Sequence, residues 1–127
     1  MIYKQDEHKL EVKEKWGETQ AYKEYKNKTL NYSNDKWNSL NVLMNVIFKD
    51  FSICMNNGES PTSLIVQELV KKLQNHISEN YYYCTNEILF GLGQMYVQDE
   101  RFKKNIDQYS EGTALFICDA IKIYCDR

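Results

Sequence analysis

Nucleophile-and-base chemistry in this chain comes down to one pairing, Cys84 with His76, eight positions apart across a single turn region. A cysteine becomes a nucleophile when a neighbouring base draws off its proton. A Cys84 that only packs, beside a His76 that is satisfied or exposed on a helix, asks less of the fold. Cys118 and Cys125 stand two helical turns apart on one face, which is not the spacing of a structural zinc site. Together with Cys54 and Cys84 they show no CxxC, so reduced thiols are expected, with no metal and no cofactor. The Gly91-Leu92-Gly93 run lies inside a helical pattern and lacks the glycine-rich spacing that cradles phosphate. His8 has no recognisable partner.

Aromatic and soft apolar surface is abundant instead. Trp16, Tyr22, Trp37, Met44, Tyr81 to Tyr83, Phe90, Met95, Tyr96 and Phe102 exceed what a small core requires. As a group they suit a roomy apolar pocket. Each of the two helix-interior glycines costs about 1 kcal/mol relative to alanine. Gly91 removes bulk one turn from Ile88 and Met95, and Gly93 does the same beside Leu89 and Val97. Space for a ligand and close approach of two helices both remain open as reasons.

The elements that must carry these side chains are helical. One proline, five glycines and almost no strand-type alternation predict an all-α fold. Ser33 is a plausible cap for a helix running to an Asn56-Asn57-Gly58 stop, with Trp37, Leu40, Met44, Ile47 and Phe51 on one stripe. Val42, Leu43, Val46 and Phe48 widen that stripe almost all round, so the helix is buried on several sides, lines a cavity or meets another subunit. Ser60 followed by Pro61 predicts the start of a helix over about 61–80. Its stripe is Val66, Leu69, Val70, Leu73 and Ile77. Thr85 caps a helix carrying Ile88, Leu92, Met95 and Tyr96. Asp99 caps a short one with Phe102, Ile106 and Tyr109, and the last helix uses Ile117, Ala120, Ile121 and Tyr124. Residues from about 37 onward therefore supply five core helices.

The first 36 residues are different in kind. Aliphatic side chains are sparse there, lysines alternate with acids, and the large apolar groups are mostly rings. Such a segment buries little by itself, so its order is expected to depend on docking to the rest of the chain or to a ligand. Residues 1–127 are read as one domain, with a conditionally ordered lid over about 1–36 and a helical core over about 37–127. The 16 basic residues nearly balance the 18 acidic ones. No basic stripe suitable for nucleic acid results, and no direct DNA contact is expected from this segment. No apolar run reaches transmembrane length and no signal peptide is evident, which makes cytoplasmic the expected location.

Several motifs occur in a telling order: WGET-x-AY at 16–22, Tyr-Ser-x-x-x-Trp at 32–37, His-Ile at 76–77, Tyr-x-Cys-x-x-Glu at 82–87 and MYVQDERFKKNID at 95–107. Gly-x-Ala at 112–114 and Asp-Ala-Ile at 119–121 follow. Across about residues 10–125 the chain resembles the TipAS antibiotic-recognition domain family. That resemblance implies a globin-like, haem-free bundle of about five core helices, with one or two N-terminal helices that are mobile without ligand. It implies a non-catalytic domain that binds drug-like apolar or peptide-like antibiotics, either as the effector-sensing half of a MerR-family transcription regulator or as a stand-alone binder. The resemblance starts directly in the sensing domain, with no helix-turn-helix before it. The family's thiopeptide binder captures its ligand covalently through a cysteine that aligns with Gly91, so capture there is ruled out in this chain.

The candidate ligand-binding residues are Trp16, Tyr22, Trp37, Met44, His76, Tyr83, Cys84, Phe90, Gly91, Met95 and Phe102. Ligand entry is expected between the Trp37 helix and the Cys84-to-Met95 helix, with the stretch around Trp16 and Tyr22 ordering over it. The alternative is a protein-interaction or homodimerisation module whose Trp37 helix docks a partner. An enzyme dependent on Cys84 is a third reading.

Overall fold

The structure is a computed structural model that describes residues 20–127. Trp16 and His8 therefore lie outside the described residues. Six α-helices follow one another: α1 Gln20–Thr29, α2 Asn34–Asn56, α3 Leu64–Asn80, α4 Asn86–Gln98, α5 Glu100–Asp107 and α6 Thr113–Cys125. The described residues contain no strand, and the all-α expectation holds.

Three helix starts stand where the capping residues predict them. Ser33, Thr85 and Asp99 each hold extended backbone, and each side chain accepts a backbone N–H of the first turn. The α2 stop is also as expected, because Asn57 sends its N–H back to Ile53 and Met55. Gly58 then takes φ +81, a conformation that side chains with a Cβ rarely adopt.

The start of α3 corrects the sequence reading. Ser60 and Pro61 belong to a turn, in which Ser60 Oγ accepts the Thr62 N–H at 3.1 Å and Ser60 O accepts the Ser63 N–H at 3.0 Å. Ser63, in extended conformation, is the cap, and its side chain takes the Val66 N–H. A serine hydroxyl spent two residues on cannot also cap the helix. The start of α6 has no side-chain cap at Gly112, φ +94. Asp107 substitutes from the end of α5, its Oδ1 accepting the Ala114 N–H at 2.8 Å.

Helix α6 is central and packs on α2, α3, α4 and α5. It can do so because Ala114, Ile117, Ala120 and Ile121 are all fully buried. Its closest partner is α4, and the reason is Gly93. A Cβ at that position would stand 3.2 Å from Ile121 Cδ1, so glycine lets the two backbones approach. A Cβ at Gly91 would meet nothing within 4 Å. Close helix approach therefore explains Gly93 and not Gly91.

Helix α2 is more one-sided than its sequence suggests. Phe48 is fully buried, but Val42, Leu43 and Val46 are exposed. Helix α1 is attached through the buried Ala21 and Tyr25, through Lys28 Nζ on Ser78 O at 2.7 Å, and through Glu24, which accepts the Tyr83 N–H at 3.3 Å.

Candidate ligand-binding site

The N-terminal end of α2 and the α3–α4 connection build a wall of rings. Tyr32 meets Trp37 edge-on with centroids 5.4 Å apart, and Trp37 stacks on Tyr81 at 6.0 Å. His76 reaches Tyr81 edge-on, also at 6.0 Å. Tyr32 ties the wall to the end of α3 by donating to Asn80 O at 2.6 Å. Burial and neighbouring tyrosines push the Tyr81 phenol well above its ordinary range, so it is a neutral hydroxyl.

Buried polar atoms gather around this wall. Among the described residues, Trp37 Nε1, Asn41 Oδ1, Asn45 Oδ1 and His76 Nε2 are shielded from solvent and meet no hydrogen-bond partner. Leaving such an atom unsatisfied costs about 1–3 kcal/mol. Positions 37, 41 and 45 follow i, i+4, i+8 spacing, so three of these atoms share one stripe of α2. On His76 the Asn80 side-chain amide lies 3.4 Å from Nδ1.

Burial lowers the proton affinity of His76 below the ordinary value of 6.5, Glu79 opposes that shift and Lys36 adds to it. The unfolded chain thus takes up a proton at a higher pH than the folded one. Stability should accordingly fall as pH drops below about 6.5 and through the lower folded value. Melting temperatures of wild type and His76→Gln between pH 7 and pH 5 check this. The variant is expected to show the flatter profile, and equal slopes would remove His76 from the account.

An apolar groove of about 620 Å³ runs between α2 and α3, floored by Leu43, Val46, Ile47, Ile65 and Leu69 and edged by charged residues of α3. Of the predicted site residues it takes only His76. A smaller pocket, about 470 Å³, brings Tyr83 and Cys84 together beside Gln74 and Ser78. Helices α2 and α4 are not a tight pair and meet through long side chains, with Phe48 edge-on to Tyr96 at 5.5 Å.

The remaining predicted residues are scattered. Trp37 is buried in the ring wall, while Met44, Met95 and Phe102 sit inside the core. Tyr22 is half-buried against that core from α1. Tyr83 and Phe90 are 64% and 41% exposed, and Gly91 faces outward on α4 beside Phe90. Cys84 and His76 are not hydrogen-bonded to each other. The Cys84 thiol turns to Thr85 O and His76 turns to Asn80. Burial pushes the Cys84 thiol up to about 12, so at neutral pH it is no nucleophile. Asn41 is buried and Asn45 half-buried on α2, and the sequence reading singled out neither.

The sequence pattern of the TipAS antibiotic-recognition domain matches residues 8–124. The chain belongs to the TipAS family. Among its relatives are the HTH-type transcriptional activator TipA of Streptomyces coelicolor, 35% identical over 91% of this chain, and the HTH-type transcriptional activator Mta of Bacillus subtilis, 37% identical over 92%. The match spans 46% of TipA and 44% of Mta, so the chain covers less than half of either relative. In three dimensions it matches TipAS solved in complex with nosiheptide, from a thiopeptide antibiotic multidrug resistance system of Streptomyces lividans. The TM-score is 0.83 at 34% identity, over 98% of this chain and 87% of that one. Among these residues no helix is long and apolar enough to cross a membrane, and no cluster of His, Cys, Asp or Glu could hold a metal ion.

Proposed function

We propose that this chain is a non-catalytic recognition domain for drug-sized, largely apolar or peptide-like antibiotics. It would act as the effector-sensing part of a MerR-type activator or as a stand-alone binder. The observation that carries this reading is the likeness to nosiheptide-bound TipAS over 98% of the chain. The apolar groove between α2 and α3, edged by His76 beside the ring wall, supports a ligand held against α2. Residues up to about 36 would act as its cover, since α1 is fastened by only two buried side chains of its own. Contact with DNA would fall to a part of the protein beyond this segment. A buried Cys84 and a glycine at position 91 support non-covalent binding.

Binding that favours the folded, closed form raises stability by mass action, about 2.7 kcal/mol when free ligand is 100 times Kd. Thermal unfolding with saturating nosiheptide should therefore shift upward by several degrees. Isothermal titration should give a stoichiometry of one. Absence of both a shift and a titration signal, with nosiheptide and with other thiopeptides, would refute this reading.

A further inference from the structure

We infer that Gln74 is a positioning residue that holds the α3–α4 connection, and with it Tyr81 of the ring wall, in the form that takes ligand. This inference rests on the ligand-binding reading above and adds what prepares the site. Residues 81–84 leave α3 and reach the Thr85 cap without helical structure, so their backbone groups need partners from elsewhere. Tyr81 and Tyr82 both send their N–H back to Ile77 O, at 2.9 and 3.2 Å. At the other end of the connection the Cys84 N–H goes to Ser78 Oγ at 3.0 Å. The Cys84 carbonyl accepts Gln74 Nε2 at 2.9 Å.

One carboxamide closes three ties at once. Its nitrogen also donates to Asn86 Oδ1 at 2.8 Å, and its oxygen accepts the Tyr124 hydroxyl at 3.0 Å. A carbonyl oxygen can only accept, so the bond to Cys84 fixes which end of the amide is nitrogen and leaves the oxygen for Tyr124. Tyr124 belongs to the last turn of α6, 50 positions away. Through this side chain α3, α4 and α6 all hold the connection. What the connection carries is Tyr81, which stacks on Trp37 and meets His76 at the edge of the α2–α3 groove. A loose connection would keep Tyr81 off the wall in part of the molecules, and affinity falls with the fraction that is competent. Ordering the connection beforehand removes that cost. A glutamine that only stabilised the fold would leave the affinity of the folded protein unchanged.

The test compares wild type with Gln74→Met, which keeps the length and removes all three ties, and with Tyr124→Phe, which removes one hydroxyl from a half-buried ring. Nosiheptide affinity should fall about tenfold in folded Gln74→Met and about threefold in Tyr124→Phe. The double variant should bind no more weakly than Gln74→Met, because Tyr124 acts through Gln74. In ligand-free Gln74→Met the indole N–H resonance of Trp37 should move, since Tyr81 stacks on that ring. That signal reports position and not stability. Wild-type affinity in folded Gln74→Met, or an unmoved Trp37 resonance, overturns the positioning role and leaves antibiotic binding intact. Losses that simply multiply in the double variant overturn it too. If Gln74→Met does not fold, Tyr124→Phe decides, and wild-type affinity there overturns the role. A wild type that fails to bind nosiheptide sinks the functional reading and this role together.

Discussion

Replacing Gly93 by leucine should destabilise the domain by about 3 kcal/mol or more, whereas Gly91→Ala, two residues away, should stabilise it by up to about 1 kcal/mol. Both glycines interrupt the same helix, and both cost it intrinsic propensity. The difference is what lies beyond the missing Cβ. At position 93 the first added carbon already meets Ile121 Cδ1 at 3.2 Å and Ile121 Cγ2 at 3.4 Å. Ile121 is itself fully buried, so it has little room to retreat. The rest of a leucine side chain then has to part α4 from α6, the most extensive helix contact in the fold. At position 91 an added methyl meets open space. In a domain of this size each kcal/mol moves the melting temperature by roughly 4 °C. Calorimetry should therefore place the Gly93→Leu transition more than about 10 °C below wild type and the Gly91→Ala transition slightly above. Two variants of equal stability would remove the close-approach account of Gly93.

The contrast between these glycines shows where sequence reading stops. Caps at Ser33, Thr85 and Asp99 are legible because the groups they satisfy lie within three residues. Ser60 and Ser63 defeat the same rule, since both are serines ahead of one apolar stripe and only the turn geometry decides between them. Gly93 answers to Ile121, 28 positions away, and no local pattern records that contact. The tyrosine triplet is a similar case. Tyr81 and Tyr82 are fully buried while Tyr83 is 64% exposed. The chain leaves α3 at Tyr81, so neighbouring rings point to different sides.

For the candidate site, the sequence marks the kind of side chain better than its position. Trp37 and His76 do come together, joined through Tyr81. Met44, Met95 and Phe102 share the chemistry expected of a pocket lining, yet they fill the core. Apolar side chains look alike whether they face a neighbour or a ligand. Buried polar atoms distinguish the two, because each needs a partner.

Phe48→Ala should cost about 3–5 kcal/mol, while Val46→Ala on the same helix should cost well under 1 kcal/mol. Phe48 is fully buried and places its edge against Tyr96, so truncation leaves a void where α2 and α4 meet. Against a total stability of 5–15 kcal/mol, that loss brings a domain of this kind close to unfolding. Val46 is 44% exposed, and its truncation removes little buried surface. Urea unfolding should show the Phe48→Ala midpoint far below wild type with an unchanged slope, and the Val46→Ala midpoint close to wild type. The pair also decides between two descriptions of α2, a helix buried all round and a helix with one inward face. If Val46→Ala proved as costly as Phe48→Ala, the exposed flank of Val42, Leu43 and Val46 would have to be covered in solution. The interaction-module reading would then regain ground. A small Val46 cost beside a large Phe48 cost leaves α2 as a helix with one inward face and an outer flank open to solvent.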